Sequence, residues 1–170
     1  MSFSTFSGPV RSGTQRYGSA AVENTGLVTL SRTAYVNVSG VALTAAPVAQ
    51  TLFTLPAGSK ILNFIPEVLV TIAGGSVSQV GVTIGKSGSA DAFAASFNTG
   101  TAVARVTQAT VDTAISGKVA ALNNIGTVDV PVTGTFTATT GNPTSGQIAI
   151  TVVYQQRADD GAQAPAYNQN

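Results

Sequence analysis

Runs in which β-branched residues recur at every second position constrain this chain more than any other feature. Val80, Val82 and Ile84 alternate with Gly81 and Thr83. Val128, Val130 and Val132 alternate with Asp129 and Pro131, and Phe136 and Ala138 keep the same parity. Ile148, Ile150, Val152 and Tyr154 repeat the pattern near the end. A period of two gives a strand one apolar face, and Val, Ile and Thr suit the pleated backbone. The same reasoning predicts further strands at 27–38, 48–55, 60–72, 77–85 and 101–108. Gly74-Gly75-Ser76 turns the chain between the third and fourth of these.

Turn chemistry organises the rest. Gly141-Asn142-Pro143-Thr144-Ser145-Gly146 is a cluster of turn formers between two alternating runs and predicts a hairpin. Pro131 has no N–H to give a ladder, so it predicts an edge position or a bulge. Ala90-Asp91-Ala92-Phe93-Ala94-Ala95-Ser96, following Ser89, has the composition of a short helix. Residues 109–125 fit either a loop or a short strand pair around Ile115 and Val119. Seven or eight short strands with Gly-rich turns define an all-β chain, an antiparallel β-sandwich or jelly roll. The absence of an internal repeat argues against a solenoid or propeller.

With 170 residues the chain fits one domain, read in three zones. Residues 1–25 are rich in Ser, Gly and Thr and are expected to be an extended N-terminal arm. Residues 26–156 form the sandwich, and 157–170 a polar C-terminal tail.

Composition removes whole chemistries. The sequence has no Cys, no His and no Trp. A Ser-His-Asp or Cys-His nucleophile cannot be built, nor a zinc site that relies on His or Cys. Glu23, Glu67, Asp91, Asp112 and Asp129 are scattered, and none has spacing that forces the convergent pair of a glycosidase. Asp159 and Asp160 lie together in the tail, and no run supplies the closely spaced oxygen ligands of a calcium loop. Gly85-Lys86-Ser87-Gly88 lacks the glycine a phosphate loop needs five residues before its Gly-Lys-Ser, since position 80 is Val. It reads as a turn. The chain is therefore expected not to be an enzyme and to carry no cofactor or metal.

What remains points to assembly. Charged residues make up 9% of the chain, and Lys plus Arg (8) nearly balance Asp plus Glu (7), against about 25% charged in an average soluble domain. A monomer so poor in surface charge is weakly protected against self-association, so part of the surface is expected to be buried in a permanent assembly. The rival reading is a neutral, hydroxyl-rich surface that is simply solvated. Arg11, Arg16 and Arg32 are too sparse for a phosphate-binding patch, so no nucleic-acid partner is expected. No stretch approaches the ~18 apolar residues of a membrane span, and the first seven residues lack the basic and apolar regions of a secretory signal. Synthesis in the cytoplasm is expected. Phe3 and Phe6, on an otherwise polar arm, have the character of anchors that fill pockets on a neighbour. Pro9, Arg11 and Arg16 share that arm, and Tyr167 invites the same reading in the tail. These six residues are the candidate partner-binding set.

Three segments carry a resemblance. Phe6-Ser7-Gly8-Pro9-Val10-Arg11-Ser12-Gly13 resembles the N-terminal arms of small virion proteins from tailed phages, particularly marine and cyanobacterial ones. Val82-Thr83-Ile84-Gly85-Lys86-Ser87-Gly88-Ser89-Ala90-Asp91-Ala92-Phe93 and Gly146-Gln147-Ile148-Ala149-Ile150-Thr151-Val152-Val153-Tyr154 are similar to the same group. The resemblance implies a β-sandwich that coats the capsid exterior as a decoration, or cement, protein. Its implied partners are the major capsid protein and further copies of itself, as a homotrimer. A tail or fibre component that binds a host surface is the alternative. A small carbohydrate-processing enzyme using the scattered acids is the remaining one.

Overall fold

A computed structural model describes residues 28–39 and 48–156. Eight strands and two short helices follow one another as β1 (Val28–Asn37), β2 (Val48–Leu55), β3 (Lys60–Ala73), β4 (Gln79–Lys86), β5 (Ser89–Asn98), β6 (Ala104–Arg105), α1 (Gln108–Ile115), α2 (Val119–Asn123), β7 (Val130–Thr139) and β8 (Ser145–Gln156). One antiparallel sheet has the order β1-β8-β3-β6, the other β2-β7-β4-β5. Below these are sheet A and sheet B. The chain changes sheet at every strand connection except β4 to β5, and the first strand pairs with the last. That interleaving is the eight-stranded jelly roll.

The alternating runs face the core as their period requires. Val80, Val82 and Ile84 of β4, Val132 and Phe136 of β7, and Ile148, Ile150 and Val152 of β8 are each fully buried between the sheets. Phe64 and Val68 from β3 and Phe93 from β5 fill the space between them. Val128 departs from the expected parity series. The strand starts at Val130, and Val128 lies in the preceding loop, 69% exposed. Pro131 meets its expectation locally: it pairs with Thr54 of β2, but the ladder between β4 and β7 ends one residue earlier, at Lys86 and Val132. One flank of Pro131 is therefore free of a partner strand.

Four expectations are corrected. Ala90–Ser96 is not a helix but the middle of β5, paired with β4 through a ladder with two register shifts. Burying Phe93 and Phe97 against sheet A outweighs the helix propensity of the alanines. Residues 109–125 are neither loop nor strand pair: Val111 and Ala114 share a buried face of α1, and Leu122 anchors α2. Both helices pack against β3 and β5 and close the side of the sandwich where those strands come together. The expected strand at 101–108 shrinks to Ala104–Arg105 because α1 begins at Gln108. Finally, the turn cluster at 141–146 joins β7 and β8, but they do not form a hairpin, since they belong to different sheets. The loop instead docks on the β3–β4 turn, where Thr144 N–H donates to Ala73 O at 2.8 Å.

Lys86 pairs with Ser89 across Ser87 and Gly88, and Gly88 has φ +79°. The segment that superficially resembles a phosphate loop is thus a two-residue hairpin turn, as expected.

Candidate interaction surfaces

Two pairs of sheet edges bound the sandwich, and the chain treats them differently. On one side β5 and β6 are edge strands, and α1 and α2 lie against that side. On the other side β1 and β2 are the edges. Between them, the guanidinium of Arg32 on β1 reaches across and donates from Nη1 to Thr54 O on β2 at 2.7 Å. β2 is kinked by a register shift between Thr51 and Phe53, a common protection against edge pairing.

Among the described residues β1 has no such guard. It pairs with β8 in unbroken register from Val28 opposite Gln156 to Asn37 opposite Gln147. Arg32 is its one charged residue, and it holds neither proline nor glycine. The phase of its free backbone groups follows from one hydrogen bond: Val38 N–H donates to Gly146 O at 3.1 Å, continuing the β8 ladder. In an antiparallel pair, hydrogen-bonded and non-bonded positions alternate. Even-numbered residues of β1 therefore address β8. Thr29, Ser31, Thr33, Tyr35 and Asn37 direct their N–H and C=O groups outward, where no strand among the described residues receives them.

The side chains of those odd residues stand on the outer face of sheet A, because Val36 and Val38 point into the core. Tyr35 is 67% exposed there. Across the sheet it lies in one row with Ala149 and Glu67, and Arg105 follows on β6. Asn37, Gln147 and Val70 form the next row. A shallow concavity of about 260 Å³ opens there, lined by these three together with Ser39, Thr144 and Ser145. The outer face of sheet B is different again. Thr133, Thr135 and Thr137 of β7 alternate with core residues, and their β4 neighbours are Gly85, Thr83 and Gly81. Neither set carries a charge. The scarcity of Lys and Glu seen in composition is thus expressed on this face, whereas the outer face of sheet A carries Glu67 and Arg105.

Among the described residues the acids do not converge. Asp91 on β5 accepts from Lys118 Nζ at 2.7 Å, the one ion pair among the described residues. The Lys118 hydrogen bond, and secondarily its charge, holds the Asp91 carboxyl below the ordinary carboxylate range. Any stabilisation from this exposed pair is present above that range and is lost as pH falls through the lowered value. Asp112 accepts from Gln108 Nε2 at 2.7 Å on the surface of α1, and Asp129 accepts the Ala57 N–H at 2.9 Å, tying two loops together. Glu67 stands on the sheet A face. Among the described residues no group of three metal-ligating side chains occurs, and every buried polar side-chain atom has a hydrogen-bond partner.

Phe3, Phe6, Pro9, Arg11, Arg16 and Tyr167, the partner-binding residues expected from sequence, all lie outside the described residues, as do the arm and the tail. The structure adds the β1 edge and Tyr35, which sequence reasoning did not single out. A signal for them existed: 28–37 is an alternating run with polar odd positions, one charge and no breaker.

No family model matches the chain, and no curated protein matches it. Among solved structures, it is similar to one described as the cyanophage Pam1 capsid asymmetric unit. The identity there is 18% and the TM-score 0.45, over 86% of this chain and 98% of the matched one. It is also similar to one described as the acidic stable capsid structure of Helicobacter pylori bacteriophage KHP30. That match has 15% identity and a TM-score of 0.41, over 78% of this chain and 93% of the other.

Proposed function

We propose that this chain is a structural virion protein that binds the outer surface of a phage capsid and stabilises it, as decoration proteins do. The observation that carries the reading is a jelly roll with one chargeless threonine and glycine face and one long edge strand that no described strand covers. Such a surface suits burial in an assembly better than isolation in water. The fold itself is shared by viral capsid domains, lectins and cupins, so it permits the role without establishing it. The sequence resemblance of the arm, of the β4–β5 hairpin and of β8 to small virion proteins supports the same choice.

The mechanism is mechanical. Copies associate, as a trimer in this reading, where several major capsid subunits meet, and residues 1–25 extend across the shell. Phe3 and Phe6 fill pockets on the shell while Arg11 and Arg16 pair with its carboxylates, which the guanidinium fork does well. Each contact is weak, and several held by one oligomer act together through effective concentration. The role requires no catalysis, cofactor, nucleic acid or membrane. The protein is made in the host cytoplasm and ends on the capsid exterior.

The test is a chain starting at Gly26, added to heads that lack the protein. Far-UV circular dichroism should still report a folded β protein, and sedimentation with heads should be lost. Undiminished binding by the shortened chain would refute the role of the arm.

One observation favours the second reading, a tail or fibre component that touches the host surface. Tyr35 is 67% exposed beside Asn37 and Gln147. An aromatic ring flanked by amides is a common way to hold a saccharide. Binding of the purified protein to host cells, abolished by Tyr35→Ala, is the result that selects this reading over the first.

A further inference from the structure

We infer that the β1 edge pairs with the β1 edge of a second copy, antiparallel and in one register, with Thr33 facing Thr33 across a twofold axis. The inference goes beyond the proposed capsid role and does not rest on it.

An edge strand of this length, straight and with a single charge, is a template for strand addition unless something covers it. The strand is self-complementary. The N–H and C=O groups that no described strand receives belong to odd-numbered residues, so an added antiparallel strand must also offer odd residues. A second β1 does so. With Thr33 opposite Thr33, Ser31 faces Tyr35 and Thr29 faces Asn37, so every outward backbone group from 29 to 37 is satisfied. On the inner face Leu30, 38% exposed in the single chain, falls opposite Val36. Arg32 falls opposite Ala34, and its guanidinium stays on Thr54 O.

Neighbouring registers are worse. A shift one way brings Arg32 opposite Arg32, placing like charges face to face. A shift the other way leaves one backbone pair unmade. The favoured contact is isologous and closes after two copies, so it consumes the exposed edges without growing a fibre. It joins the two A sheets into one continuous sheet with β1 beside β1 at its centre. On a particle, such a contact would link one oligomer to the next.

Charge substitution at the axis is the decisive test, because Thr33 is exposed and tolerates a change without loss of core. Analytical ultracentrifugation of the full chain should show a concentration-dependent association step. Thr33→Lys alone and Thr33→Asp alone should each weaken that step by more than about tenfold, since like charges meet at the axis. An equimolar mixture of the two variants should restore it. Amide exchange should agree: in the unsubstituted chain the N–H groups of Ser31, Thr33 and Tyr35 gain protection as concentration rises. If each variant associates like the parent, or if both lose association and the mixture does not recover, the inference is wrong. Protection of those amides that does not change with concentration would also overturn it, since the edge would then be covered by the chain's own arm.

Discussion

Phe136→Ala is expected to remove about 3–5 kcal/mol of stability, the usual loss for a phenylalanine truncated in a packed core. Phe136 stands in the middle of sheet B, opposite Val48 of β2 on one side and Val82 of β4 on the other, and is fully buried. Its ring rests so close to Gly134 that a Cβ there would come within 3.0 Å of it. A backbone held on both sides by ladders cannot collapse into the hole, so the cavity term adds in full to the transfer term. Small domains have only about 5–15 kcal/mol in total. With a urea slope of about 1–3 kcal/mol per molar, the unfolding midpoint should fall by about 2 M. A midpoint within about 0.3 M of the parent would show that sheet B is not packed on sheet A as described.

Gly85→Ala is expected to be nearly as damaging although it adds a single carbon. Gly85 sits where β5 folds back over the end of β4, and a Cβ there would collide with the backbone of Ser89 and Ala90. Backbone cannot swing aside as a side chain can. The hairpin must open or slip, and overpacking of this kind costs about 3 kcal/mol. A slip of one residue would turn the Phe93 and Phe97 rings from the core toward solvent. The check pairs a thermal melt with near-ultraviolet circular dichroism, which reads the packing of those rings. A loss of stability with a changed aromatic signal is expected. An unaltered melt would mean that β5 does not cross Gly85 at this distance. Gly88, three residues on, has open space around the Cβ position, which makes clear that the constraint at Gly85 is the close approach and not the turn.

The strands with clean alternation were legible because burial on one face writes itself into the sequence. Val80, Val82 and Ile84, and Ile148, Ile150 and Val152, needed no partner to be recognised. The alanines around Phe93 misled for the opposite reason. Alanine favours a helix locally, and only pairing with β4, together with burial of two phenylalanines against the far sheet, makes that stretch a strand. The cluster Gly141–Gly146 signals a turn but not which sheet the next strand joins. The same Gly, Asn and Pro residues serve a chain that doubles back within a sheet and one that crosses to the other sheet. Helix α1 was hidden because eight residues give one pair of buried positions, Val111 and Ala114, too short a run to declare a period.

The candidate interaction surface was less legible than the fold. β1 and β8 both alternate, and nothing local to either says that β8 lies in the middle of its sheet while β1 lies at the edge. That difference is set by strand order, which arises from pairings remote in sequence, such as Val28 with Gln156 and Ala73 with Ser145. The chemistry of the surface, in contrast, was visible at once. Few charges and many hydroxyls in composition became the threonine and glycine face of sheet B and the serine, threonine and tyrosine row of β1. The jelly roll explains why that composition is tolerable: it buries a full apolar layer between two sheets and leaves the outer positions free for whatever an assembly requires.

The proposed role places the protein on the head of a virus particle. Immunogold labelling of intact particles from the source virus, with an antibody raised against the purified chain, tests it directly. Gold distributed over the head is the predicted result. Gold confined to the tail, or particles that bind no gold, would contradict it.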